Sequence, residues 1–87
     1  MTKIHYLLSL SNDSFAFERS DVDDFVPTLG TRVSIFSSLG HDGVIASSVY
    51  SVITHRWECL IRSHYPNDDP WVELLEEAGW TRMRPPD

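Results

Sequence analysis

A chain of 87 residues makes one domain with a small core. Thirteen acids against seven bases give a formal charge of -6. That is the wrong sign for a nucleic-acid binder, whose phosphate contacts require a basic face. The lone cysteine, Cys59, excludes an internal disulfide and a multi-cysteine zinc site.

The first element is a strand. Ile4, Tyr6, Leu8 and Leu10 alternate with Lys3, His5 and Ser9, broken only by Leu7. Ser11-Asn12-Asp13-Ser14 is turn chemistry, and Phe15 to Arg19 resumes the alternation, so residues 1–19 read as an N-terminal hairpin. Ser20-Asp21-Val22-Asp23 has the form of a weak capping box, and Pro27 limits any helix there to a turn or two. Residues 20–26 are therefore expected to be a short helical or irregular connector.

A three-stranded core is expected over residues 31–65. Thr31, Val33 and Ile35 oppose Arg32, Ser34 and Phe36, and Ser37 to Gly43 supplies a loop. In residues 44–54 the apolar positions fall on both parities. Either a bulge near Ser47-Ser48 switches the face or the strand is covered on both sides. From 54 to 65, Trp57, Cys59 and Ile61 share one face, and Arg56, Glu58, Arg62 and His64 the other, with Leu60 the apolar exception.

Tyr65 to Pro70 is a break, after which a helix is expected over 70–78, with Asp69 as its cap and Pro70 at its first position. Trp71, Leu74, Leu75 and Ala78 follow the helical stripe, while Glu73, Glu76 and Glu77 face out. Gly79 is a left-handed stop, with Trp80 folding back on Leu75. Residues 81–84 are expected to add a short edge strand before Pro85-Pro86. The fold class is mainly β (α+β by content): a small bent sheet, or partly open barrel, of about five strands with one C-terminal helix. The run from Val26-Pro27 through Gly30-Thr31-Arg32-Val33 to Asp42-Gly43-Val44 and Trp57-Glu58-Cys59 resembles an SH3-like barrel. The resemblance implies a fold and no particular function.

No phosphate loop, Cys-x-x-Cys or His-Glu-x-x-His is present. Cys59 with His55 or His64 could form a nucleophile and base, but His55 and Cys59 lie roughly 13 Å apart along a strand, and a core role for the thiol fits better. His5, His41, His55 and His64 match no metal-ligand spacing, so neither metal nor cofactor is expected. Trp57, Trp71 and Trp80 could make an aromatic cage, yet each sits where a core would claim it.

Arg56, Glu58, Leu60, Arg62 and His64, flanked by Tyr50 and Tyr65, have the composition of a partner-binding patch. Glu73, Glu76 and Glu77 form an acidic face that could dock a basic partner. The chain is thus expected to be a non-catalytic protein-interaction or regulatory module that self-associates, binding neither nucleic acid nor membrane. One alternative is a small-molecule binder or enzyme with a pocket between subunits. Another is an acidic inhibitor of a nucleic-acid-binding protein. With no signal peptide after Thr2-Lys3-Ile4-His5 and no long apolar run, a cytoplasmic location is expected.

Overall fold

The computed structural model describes residues 2–24, 26–35 and 42–83. Its strands are β1 (Thr2–Leu10), β2 (Asp13–Asp23), β3 (Arg32–Ser34), β4 (Asp42–Ser51), β5 (Arg56–Arg62) and β6 (Thr81–Arg82), with one helix, α1 (Asp69–Glu77). All six strands join one sheet in the order β3-β4-β5-β1-β2-β6, curled into a half-barrel. β1 lies at its centre, antiparallel to β2 and parallel to β5.

The period-two pattern of β1 decides which side is the core. Ile4, Tyr6, Leu8 and Leu10 all point to the concave side and are buried. Phe17 of β2, Ile45 of β4, and Cys59 and Ile61 of β5 join them. Ile35, Tyr65, Val72, Leu75 and Trp80 complete the same cluster, so the helix packs on the concave side. Each aliphatic side chain so buried stabilises the fold by about 1.5–3 kcal/mol.

Several local expectations give way to long-range pairing. Residues 20–23 form no helix, because β2 runs on to Asp23 and pairs with β1 as far as Thr2. Asp23, the acid of the expected capping box, accepts from the Asp24 backbone N–H instead. In β4 the face switches by a bulge between Ile45 and Ser47, slightly earlier than the two serines suggest. It leaves Ala46 without a cross-strand partner and brings Ser48 and Tyr50 onto the side of Cys59 and Trp57. No strand crosses residues 52–55. These form the β4–β5 turn, with His55 at a positive φ of 56°. Ser63 lies beyond β5 but still donates its N–H to the Ser9 carbonyl. Of the loop expected over Ser37–Gly43, residues 37–41 lie outside the described residues, as do Phe36, Arg84 and Pro85-Pro86. Asp42 and Gly43 belong to β4.

The helix begins one residue earlier than its sequence suggests, with Asp68 as N-cap, and its inner stripe uses Val72 in place of the exposed Leu74. No side chain caps its start. Its end is a Schellman motif: Gly79, at φ 97°, donates to the Glu76 carbonyl and Trp80 to the Leu75 carbonyl. With no basic residue in the last turn, Arg19 of β2 donates to the Ala78 carbonyl and supplies the positive charge that a helix C-terminus favours.

Candidate functional site

Register sorts the convex side of the sheet into rows. Val49, Glu58, His5 and Ser20 make one row across β4, β5, β1 and β2; Ser47, Leu60, Leu7 and Glu18 make the next. Leu7 and Leu60, the two apolar exceptions, are therefore neighbours at the middle of this face. Val49, 59% exposed, extends the apolar surface on β4.

Charged groups border this pair on one side. Arg56 Nε donates to Glu58 Oε1 at 2.9 Å. His5 lies between two carboxylates, with Nδ1 2.8 Å from Glu58 Oε2 and Nε2 2.9 Å from Glu18 Oε1. Carboxylate oxygens only accept, so both contacts are hydrogen bonds only when both ring nitrogens carry protons. Burial opposes ionisation of Glu58, but the hydrogen bonds from Arg56 and His5 outweigh it and hold the carboxyl below its ordinary range.

Of the patch expected from sequence, Arg56, Glu58, Leu60 and Arg62 share the convex face of β5. Tyr50 stands on the other side, edge-on to Trp57 with ring centroids 5.6 Å apart. Tyr65 is buried against Trp71, at 4.6 Å, and the exposed His64 stacks on it at 4.3 Å. Glu73, Glu76 and Glu77 are exposed on α1, away from this face. Reading β5 alone missed His5, Leu7 and Glu18; the phase of Leu7 within its strand was the available signal.

A second feature escaped the sequence reading. Beyond Phe17 the concave side of β2 turns polar, with Arg19, Asp21 and Asp23 in succession. With Tyr6, Ile61, Trp80 and the β3 pair Val33-Ser34 they line a cleft of about 290 Å³. Tyr6 and Trp80 meet edge to face at 6.4 Å. Burial, with Cys59, Asp23 and Asp21 nearby, pushes the Tyr6 phenol up to about 12, so it keeps its proton at neutral pH. The signal was present: the alternation that places Phe17 inside also places Arg19, Asp21 and Asp23 there.

Cys59 is fully buried, and burial pushes its thiol up to about 11, the opposite of what a nucleophile needs. His55 is in a turn and His64 is stacked on Tyr65. Trp80 belongs to the core, and Trp57 and Trp71 pack against it. Among the described residues no group of three or more His, Cys, Asp or Glu could hold a metal, and no helix is long and apolar enough to cross a membrane. His41 lies outside the described residues. No family model, curated protein or solved structure matches the chain.

Proposed function

We propose that the protein is a non-catalytic interaction module that pairs with a second copy of itself through the convex face of β4, β5, β1 and β2. The observation that carries this reading is the Leu7–Leu60 pair on the central parallel strands, facing away from the core. Parallel strand pairs are ordinarily covered on both faces, whereas antiparallel pairs tolerate water on one. Charge complementarity supports a second copy as the occupant. The face carries Arg56 and Arg62 beside Glu58 and Glu18, so a two-fold partner can set each sign against its opposite. A core of this size also gains from assembly.

Light scattering across a wide concentration range tests the proposal. The expected mass is twice the 10.0 kDa chain at high concentration, reverting to one chain in Leu60→Lys. A wild-type chain that stays at single-chain mass throughout overturns it, as does a Leu60→Lys variant that remains dimeric.

A further inference from the structure

We propose that the concave cleft binds a small organic ammonium ion, a primary amine carried on a compact apolar body. Two carboxylates, Asp21 and Asp23, face one guanidinium in the lining, which leaves the cleft net negative. That guanidinium is already committed. Arg19 Nε donates to Asp21 Oδ2 at 2.7 Å and its terminal nitrogen to the Ala78 carbonyl, so it holds the wall together instead of waiting for an anion.

The independent sign of a ligand is Tyr6. Its residue is 8% exposed and lines the cleft, yet among the described residues its hydroxyl has no hydrogen-bond partner. Buried hydroxyls are ordinarily satisfied. Trp80 cannot serve it, because its indole N–H donates to the Ile35 carbonyl at 2.9 Å.

The chemistry of the lining selects the ligand class. A primary ammonium has three donors and no acceptor. Tyr6 Oη and the two carboxylates offer acceptors, and the ring faces of Tyr6 and Trp80 attract a cation placed over them. Val33 and Ile61 line the same cleft and suit an apolar body. The volume of about 290 Å³ holds roughly ten groups the size of a water molecule, the scale of an arylalkylamine. The cleft lies on the opposite side of the sheet from the convex face, so this inference stands or falls independently of self-association.

NMR titration of the full chain at neutral pH tests it, with 2-phenylethylamine as probe and 3-phenylpropionate as its anionic counterpart. The amine is expected to shift the Trp80 indole N–H resonance saturably at millimolar probe, and the acid to leave it in place. Asp23→Asn, at an exposed rim position, is expected to weaken binding by about fivefold or more with its thermal midpoint unchanged. Val33→Trp is expected to abolish binding by filling the cleft. No saturable shift with the amine, equal binding of the acid, or wild-type affinity in folded Asp23→Asn overturns the proposal.

Discussion

Leu7 and Leu60, each the apolar exception on an otherwise polar strand face, are direct neighbours in the parallel β1–β5 pair. Neither is explained by its own strand. Together they make a half-buried centre on the convex side, beside the Arg56–Glu58–His5–Glu18 chain. If a second copy covers this centre, thermal stability depends on protein concentration, because only the folded state associates. The melting temperature of the wild type is expected to rise with concentration, and that of Leu60→Thr to stay level. In dilute solution the two should differ by no more than about 1 kcal/mol, as for a surface substitution. Calorimetry at several concentrations measures both.

Glu58 makes the fold sensitive to acid. Its carboxyl titrates below the ordinary range because Arg56 and His5 outweigh the cost of burial. A lowered folded value means that the stabilisation is complete above the unfolded glutamate value of about 4.3 and fades as pH falls through the folded one. The gap in urea midpoint between the wild type and Glu58→Gln is therefore expected to be widest above the unfolded value of about 4.3 and to narrow as pH falls below it. A gap that is constant across this range contradicts the assignment.

Much of the architecture was legible where one residue's neighbours in sequence are also its neighbours in space. The alternation of Ile4, Tyr6, Leu8 and Leu10 marked β1 and its buried face. Gly79 and Trp80 marked the helix stop, whose bonds close within six residues. The errors lie where distant pairing decides. Ser20 to Asp23 carry a helix-start pattern, but pairing with Thr2 to His5 extends β2 through them. The convex site divides the same way. Arg56, Glu58, Leu60 and Arg62 share one strand and could be read together, whereas His5 and Glu18 join them only through the sheet order.

Gly79→Ala tests the helix stop. The positive φ is strained for alanine, and a Cβ there comes within 3.1 Å of Arg19 Nη1, the group that binds the Ala78 carbonyl. The combined loss is expected to be about 1–2 kcal/mol. Chemical denaturation should register it as a lower midpoint with an unchanged slope, since the surface exposed on unfolding is the same. Full stability in the alanine variant would show that the helix end relaxes without cost.

Trp80→Phe isolates one buried hydrogen bond. The substitution keeps an aromatic ring against Tyr6 but removes the donor to the Ile35 carbonyl, which then lies beside the core unpaired from this side. Leaving a buried acceptor unsatisfied costs about 1–3 kcal/mol, and the smaller ring adds a packing loss. Urea unfolding is expected to show a drop in that range. A loss below about 0.5 kcal/mol would mean that water reaches the carbonyl.

Cys59 gives an alkaline counterpart to Glu58. Its thiol is raised to about 11 in the fold by burial, against about 8.5 in an unfolded chain. The unfolded state therefore loses its proton first, and the stability present below about pH 8.5 declines as pH climbs toward the folded value. Tyr6, also raised, contributes the same trend only above its ordinary value of 10.0. The interval from about pH 8.5 to 10 thus belongs to Cys59 between these two groups, and Cys59→Ala is expected to flatten the decline there. The same burial shields the sulfur from reagents. At pH 8 the native thiol should react with a thiol-specific disulfide reagent only at the rate of opening, and rapidly once urea unfolds the chain. Prompt reaction in the native state would mean that the core around Cys59 is open to solvent.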